Sequence, residues 1–191
     1  MPSTIVRSDA PDTIKVWVGC LTCYNNGNLV GDWVEALEAT EWECPIGNTD
    51  PSGPHEEFWV MDYEDPYGFL DGGCSPMDAQ AAAEAVAAVE LDEEDPTAVA
   101  AYWDIFWSGR TFSADAWADQ RSDFQDRFAG RWDSWQEYAE QYARECLGMD
   151  SWPETAQQYF NWNSYANDLR YEYSVAEFTG AEFYILVFRS A

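Results

Sequence analysis

Lysine is almost absent from this sequence, because Lys15 is the single lysine among only nine basic residues. A protein that binds nucleic acid directly needs a basic patch for the phosphate backbone, so this scarcity argues against that class. No apolar run approaches the roughly 20 residues that span a bilayer, and residues 1–13 lack the apolar segment of a signal peptide. We therefore expect a cytoplasmic protein that is not bound to a membrane.

Familiar catalytic signatures are also missing. The sequence has no G-x-S-x-G, no Walker glycine loop and no H-E-x-x-H, and its carboxylates are so numerous that no acid/base pair stands out. We therefore expect no enzyme activity and no catalytic residue. A carboxylate-based hydrolase of unknown substrate stays open as an alternative.

The cysteines are odd in number, which argues against a full disulfide framework and fits a reducing compartment. They are Cys20, Cys23, Cys44, Cys74 and Cys146. The pair Cys20-x-x-Cys23 would need a second pair or a histidine partner to make a zinc or redox site, and the only histidine, His55, lies in a Gly/Pro-rich loop. We therefore expect neither a metal nor a cofactor.

Acidic residues are abundant: 36 Asp and Glu give a net charge of -27. Because 47% of the residues are hydrophobic and 17% aromatic, the chain can bury a core despite this charge. Residues 1–13, 14–77, 78–148 and 149–191 carry net charges of -1, -11, -11 and -4, so the acid coats the chain and forms no tail. An acidic protein of a halophile would share this excess, although its core usually gives up large aromatic residues.

The segment of residues 14–77 has the pattern of strands with a short helix. Ile14–Thr22 and Glu57–Tyr63 are predicted strands, Tyr24–Asn28 a turn and Cys44–Pro54 a loop. Asp32 is predicted to cap a helix that runs to Ala39. That helix would direct Trp33 and Leu37 inward, and Glu35 and Glu38 outward.

Helices are predicted for most of residues 78–148. Asp78–Val89 and Ala98–Trp107 are two of them, with Pro96 at a helix start. Glu90–Asp95, between them, holds five carboxylates in six positions. This run is either a solvated helix end or inter-helix loop, or part of an anionic surface.

Two further helices carry acidic stripes. The helix over about Ser113–Ala129 places its acids opposite an apolar face: Asp115, Asp119, Asp123 and Asp126 against Trp117, Arg121, Phe124 and Phe128. The next helix, with Ser134-x-x-Glu137 as a capping box, repeats this plan: Asp133, Glu137 and Glu140 against Trp135, Tyr138 and Tyr142. Each stripe alone fits an ordinary solvated helix face, and together they indicate an anionic surface.

The C-terminal segment begins with a second capping-box pattern. Ser151 and Glu154 are predicted to start a short helix that runs to about Phe160, and Ser164–Tyr171 is predicted to form another. Glu182–Arg189 is the most β-prone run, and we expect it to be buried on both faces or to lie at a partner interface.

Five stretches resemble the ArdA family of antirestriction proteins, in order and in spacing. They are Lys15-Val16-Trp17-Val18-Gly19, Tyr24-Asn25-Asn26-Gly27-Asn28-Leu29-x-Gly31-x-Trp33, Asp62-Tyr63-Glu64, Trp152-Pro153-Glu154 through Tyr159-Phe160, and Tyr165-Ala166-x-Asp168-Leu169. The likeness runs from about residue 14 to the C-terminus. The chain departs from the family in its longer N-terminal tail, in the insert at Cys44–Pro54, and in its tryptophan and alanine content.

The resemblance implies an elongated α+β homodimer that mimics bent duplex DNA. Such an inhibitor occupies the DNA groove of type I restriction–modification enzymes and protects incoming mobile DNA from restriction, with modification as a second candidate target. A flexible tail, residues 1–13, would precede three small domains: a β-rich domain at 14–77, a helical acidic domain at 78–148, and a mixed domain at 149–191 that carries the dimer interface.

Candidate residues for these roles come from the acidic pattern of the sequence and, for the motif, from the resemblance. The carboxylates of the DNA mimic would be Asp32, Glu35, Glu38, Asp62, Glu64, Asp65, Glu84, Glu90, Asp92, Glu93, Glu94, Asp95, Asp115, Asp119, Asp123, Asp126, Asp133, Glu137 and Glu140. The antirestriction motif at Leu147–Trp162, associated with the dimer region, would act through Trp152, Pro153, Glu154, Tyr159 and Phe160.

Overall fold

Strand β2 (Lys15–Cys20) lies at the centre of a three-stranded antiparallel sheet in the computed structural model of the chain. It pairs with β3 (Gly31–Glu35) on one side and β4 (Phe58–Glu64) on the other. Val16 and Val18 are fully buried, as a β-branched strand at the centre of a sheet predicts. The strands predicted at Ile14–Thr22 and Glu57–Tyr63 are thus confirmed.

The structure describes residues 4–6, 13–47, 49, 53–70, 72–179 and 182–190. Described residues within 9–121 form one compact unit, and those within 1–8 and 122–191 form a second. These are called the first and second unit below. Both contain helices and a sheet, so the α+β class is confirmed. The division into three domains stays a prediction.

The helix predicted from Asp32 is wrong. Gly31–Glu35 is strand β3, and a 3-10 helix at Ala36–Glu41 follows it and buries Ala36 and Ala39. Trp33 and Leu37, expected to face inward, are 47% and 50% exposed. Strand pairing overrides the local helix signals here, because the backbone N–H and C=O groups of β2 need a second partner strand.

The close pairing of β3 with β2 requires a glycine. A Cβ atom added to Gly31 would lie 2.4 Å from the carbonyl oxygen of Val18, nearer than real Cβ atoms come. The turn before β3 also differs from expectation, since Leu21–Asn25 forms a short helix, α1, before Gly27 takes a positive φ of 80°.

Two predicted helices of the first unit are confirmed. Helix α2 (Pro76–Leu91) starts with a capping box in which Ser75 Oγ accepts from the Asp78 N–H and the Asp78 carboxylate accepts from the Ser75 N–H. It packs against the 3-10 helix and buries four alanines, Ala79, Ala82, Ala83 and Ala85. Helix α3 (Pro96–Trp107) follows, with Gly109 in the left-handed region just beyond its end.

Helix α4 (Ala114–Arg127) contains the boundary between the two units and ends before the residue expected. Phe128, predicted on its apolar face, begins strand β5 (Phe128–Trp132) instead. Helix α5 (Trp135–Cys146) begins at Ser134 as predicted, and Ser134 Oγ accepts from the Glu137 N–H. The carboxylate of Glu137, however, accepts from the N–H of Asp133, so the predicted box is only half formed.

The second unit is built on a four-stranded sheet in the order β1-β6-β7-β5. Strand β7 (Phe183–Arg189) pairs with β5 and with β6 (Tyr173–Thr179), and its residues Ile185 to Phe188 are buried, so the predicted core strand is confirmed. Strand β1 (Thr4–Val6) pairs in parallel with β6, although residues 1–13 were expected to form a flexible tail.

Short helices follow α5, as expected, but the capping box at Ser151 is wrong. Ser151 lies in a 3-10 helix at Met149–Ser151, where its Oγ donates to the carbonyl oxygen of Gly148. Helix α6 (Glu154–Gln158) starts after Pro153 with no side-chain cap, and α7 (Trp162–Leu169) is capped by Asn161. No helix among the described residues is long and apolar enough to cross a membrane.

Tyrosines line the core of the second unit, where Tyr138 and Tyr173 pack edge to face at 5.2 Å between ring centroids. Burial raises the pKa of Tyr138. Charge on the neighbouring Tyr173, followed by burial, raises the pKa of Tyr142 to about 12. The folded chain therefore keeps these phenolic protons at a pH where the unfolded chain releases them.

We expect the free energy of unfolding to be independent of these tyrosines below about pH 10 and to fall between about pH 10 and 12. In that range the unfolded state binds fewer protons, so stability decreases as pH rises. Tyr142→Phe removes one such phenol and should make the decrease shallower. Urea unfolding across this pH range measures the free energy of unfolding. Equal slopes of this free energy against pH for the wild type and Tyr142→Phe would contradict the assignment.

Candidate functional site: the acidic surface

The candidate carboxylates all reach solvent, because none of the 19 side chains is buried. Most of them are exposed. Six are only partly exposed: Glu35, Asp65, Asp92, Glu94, Asp123 and Glu140. The predicted anionic surface therefore exists on each unit, and its members differ in how far the fold already uses them.

Several of the partly exposed carboxylates have structural tasks. Glu35 forms an ion pair with Lys15 at 3.4 Å, next to it on the paired strand. Asp65 accepts from the N–H groups of Tyr67 and Leu70 and so holds the turn after β4. Such groups are less available to a partner, since binding would have to break these contacts.

The acidic run Glu90–Asp95 covers the last two residues of α2 and the loop that leads to α3, as its interpretation as a helix end or inter-helix loop predicted. Asp92 closes α2 and its carboxylate accepts from Arg121 at 2.7 Å and from the Trp117 indole N–H at 3.0 Å. Asp95 caps α3 by accepting from the Thr97 N–H. Glu90 and Glu93 are exposed, so the run both builds the loop and displays charge.

The acidic stripe on α4 is confirmed. Asp115, Asp119 and Asp126 are exposed, while Trp117 and Phe124 on the other face are 1% exposed. On α5, Asp133 precedes the helix and Glu137 lies in its first turn; both are exposed, and Glu140 is partly exposed. Carboxylates in a first helical turn also interact favourably with the helix dipole.

The arginines largely serve the fold. Arg127 donates to the carboxylate of Asp123 and to the backbone carbonyls of Arg189 and Ser190. Arg189 donates to the carbonyl of Asp126, and Arg170 to that of Tyr173. Nine basic residues could not neutralise 36 acidic ones even if each paired with one, so the surface stays strongly negative.

The five motif residues lie around α6 in the second unit. Trp152 and Phe160 are partly buried and pack edge to face with 5.7 Å between ring centroids. Pro153 and Glu154 are exposed, and the side chain of Tyr159 is 80% exposed. The motif thus combines a small aromatic cluster with an exposed tyrosine beside it.

A second candidate site was missed by the sequence reasoning. Cys20, Cys23, Cys44 and His55 converge in the first unit, so the C-x-x-C pair does have a cysteine and a histidine partner. The missed signal was the position of Cys44 and His55 in the loop between β3 and β4, whose two ends return to the same sheet. Local spacing could not reveal this because both partners are distant in sequence.

Two of these cysteines have shifted pKa values. Burial raises the pKa of Cys23 to about 12, and the neighbouring sulfurs add to the effect. Burial acts in the same direction on Cys44, but hydrogen bonds from the Ile46 backbone and from His55 stabilise its thiolate and lower its pKa to about 7. The surroundings of the cluster therefore favour the thiol form of Cys23 and the thiolate form of Cys44.

The fold and the surface define the class of this protein. It is an acidic α+β protein whose exposed carboxylates greatly outnumber its basic groups. A family model described as antirestriction protein (ArdA) matches residues 16–182. The chain belongs to the ArdA family, which confirms the resemblance seen in the sequence and assigns it an antirestriction function. No curated protein matches the chain.

We expect Asp92 to be the stabilising member of the acidic run. Asp92→Ala leaves the Arg121 guanidinium and the Trp117 indole N–H without this acceptor and should lower the free energy of unfolding by about 1 kcal/mol, since the ion pair is partly exposed. Glu90→Ala, at an exposed position nearby, is the control and should change it by less than about 0.5 kcal/mol. Equal losses in urea unfolding would contradict this division of roles.

Proposed function

We propose that this ArdA protein is a DNA mimic that occupies the DNA-binding groove of type I restriction–modification enzymes and so blocks restriction of incoming DNA. The observation that carries the proposal is the set of solvent-facing carboxylates on each unit, most of which are exposed. Family membership supports the class of partner, and the surface supports the mechanism.

The spacing of the carboxylates suits a groove built for phosphates. Acids four residues apart on a helix, such as Asp115 and Asp119, are separated by about 6 Å along the axis. Two phosphate steps along a DNA strand cover about 7 Å. A basic groove evolved for phosphates would therefore meet negative charges at comparable intervals.

The driving force would be the same as for DNA. A polyanion concentrates cations around itself, and a basic protein that binds it releases those cations and gains entropy. A carboxylate-coated protein offers this gain but presents no bases to read and no phosphodiester to cleave. Inhibition would therefore be independent of DNA sequence and would weaken steeply as salt concentration rises.

The position of Tyr159 within the antirestriction motif supports a homodimer. Tyr159 lies next to the Trp152–Phe160 cluster and exposes most of its side chain, so it is open to a partner surface. A second copy of the chain is the partner we propose. Pairing would double the length of acidic surface presented to the enzyme.

A hydrolase is the less supported alternative. One cleft of the first unit contains two carboxylates, Asp78 and Asp104, beside Trp103 and Arg110. Asp78, however, accepts from the Ser75 backbone and hydroxyl to cap α2, so it serves the helix start.

A halophilic protein of unrelated function would instead unfold in low salt, which circular dichroism can test directly.

Displacement of DNA from a type I methyltransferase core tests the mechanism. We expect near-stoichiometric displacement of a labelled duplex at low salt, and a marked loss at higher salt. The quadruple change of Glu84, Glu90, Asp115 and Asp119 to their amides should weaken inhibition by roughly 10-fold or more, and each single change by about 1.5- to 5-fold. All four side chains are exposed, so the fold should survive.

The matched control exchanges Glu for Asp, and Asp for Glu, at the same four positions and keeps the charge. It should inhibit nearly as well as the wild type. If a single amide abolished inhibition in a folded protein, the site would be local and the distributed mimic wrong. If the control lost as much inhibition as the amide variant, side-chain shape and not charge would determine binding.

Tyr159→Asp tests the dimer. It places a charge in the proposed interface and should convert the protein to a monomer in sedimentation experiments. Tyr171→Asp is the control, because Tyr171 is 88% exposed in the same unit but lies outside the motif. A Tyr159→Asp protein that stays dimeric would remove this residue from the interface.

A further inference from the structure

Four side chains with soft or nitrogen donor atoms meet inside the first unit. Cys20 ends strand β2, Cys23 lies in α1, Cys44 follows the 3-10 helix and His55 precedes β4. Their donor atoms all lie within 4.8 Å of one another. The four residues are between 0% and 7% exposed, so the cluster is closed to solvent.

Four of the six distances between the donor atoms are close to the edges of a tetrahedron around a metal ion, and the other two, from the Cys20 sulfur to those of Cys23 and Cys44, are within 4.8 Å. The Nδ1 atom of His55 lies 3.3 Å from the sulfurs of Cys20 and Cys23 and 3.5 Å from that of Cys44. The sulfurs of Cys23 and Cys44 are 3.7 Å apart. With Zn–S bonds of about 2.3 Å and a Zn–N bond of about 2.0 Å, tetrahedral geometry gives edges of about 3.5 Å for S–N and about 3.8 Å for S–S.

Hydrogen bonds alone do not account for this convergence. The Nδ1 atom of an imidazole can accept one hydrogen bond or donate one, yet three sulfurs surround it at hydrogen-bonding distance. A disulfide is not the explanation either, because all three of these cysteines are unlinked and the 3.7 Å separation of the Cys23 and Cys44 sulfurs far exceeds a bond of about 2.05 Å. A central cation would satisfy all four donors at once.

The surrounding backbone holds the donors in place. The sulfur of Cys20 accepts from the Cys23 N–H at 3.5 Å, which holds the two residues of the C-x-x-C pair together. The Leu21 N–H donates to the carbonyl of Glu57, which ties the first cysteine pair to the segment just after His55. Trp42 and Phe58 pack edge to face against the cluster and exclude water from it.

We propose that Cys20, Cys23, Cys44 and His55 bind one Zn²⁺ through three thiolates and the His55 Nδ1. Three sulfurs and one imidazole nitrogen in tetrahedral array are a donor set that zinc prefers over magnesium, calcium or manganese. All four positions are filled by protein, so the site is structural and has no open position for a substrate.

Binding requires the metal to displace protons from ligands that carry them, because thiolates and neutral imidazole are the ligating forms. Three thiolates and a divalent cation leave the site with a net charge of -1. The metal would cross-link the end of β2 and α1 to the loop that contains Cys44 and His55, and so would fix the loop between β3 and β4.

Metal content and cobalt substitution test the proposal on the full-length protein. Purified under reducing conditions with zinc supplied, the wild type should hold one zinc per chain, and Co²⁺ should give the visible ligand-field bands of a tetrahedral thiolate site. Cys44→Ser should weaken binding by more than about 100-fold, since it removes a direct ligand.

The double variant Cys74→Ser, Cys146→Ser is the matched control. These two cysteines lie outside the cluster, and the control should bind one zinc as tightly as the wild type. Should Cys44→Ser fail to fold, His55→Cys offers a four-cysteine site that should keep the stoichiometry with an altered cobalt spectrum. A chelator should lower the wild-type free energy of unfolding, and zinc should restore it.

A folded, reduced wild type that binds neither zinc nor cobalt would overturn the proposal. So would equal loss of zinc from Cys44→Ser and from the control. None of these measurements uses a restriction enzyme, so the zinc site and the proposed DNA mimicry stand or fail separately.

Discussion

Electrostatic repulsion among carboxylates is the constraint on which the rest of this structure depends. Two like charges about 6 Å apart repel by roughly 0.7 kcal/mol even in bulk water, and this chain carries a net charge of -27. Surface ion pairs cannot remove this repulsion, because nine basic residues face 36 acidic ones. The fold must therefore obtain its stability from interactions that leave the surface negative.

Aromatic burial and carboxylate capping both meet this requirement. Trp117 and Phe124 bury large rings beneath the stripe on α4, and Tyr138 and Tyr173 do so beneath α5. Asp95 uses its charge to cap a helix, where the N–H groups and the dipole favour an anion. Arginines such as Arg170 donate to a backbone carbonyl and so stabilise the chain without masking an acid.

How much the sequence predicts depends on whether the signal is local. Pro96 and Ser134 mark helix starts that the structure confirms, because the residue that signals a helix start and the helix itself are neighbours in sequence. The capping signal at Asp32 failed because pairing with a distant strand overrode it. Exposure of the acidic stripes followed from helical periodicity, whereas the Cys44 and His55 positions depended on how a long loop returns to the sheet, which periodicity does not encode.

The proposed zinc site follows from the same constraint. Around Cys20, Cys23 and Cys44 the core of the first unit consists of small sulfur side chains, where larger apolar residues would supply more burial energy. A buried metal ion gives such a region a strong cross-link between three segments. It does so with a cation held inside the protein, so no carboxylate of the outer surface is neutralised. In the proposed DNA mimic, activity would rest on exposed negative charge, and an internal metal would stabilise the fold without neutralising that surface.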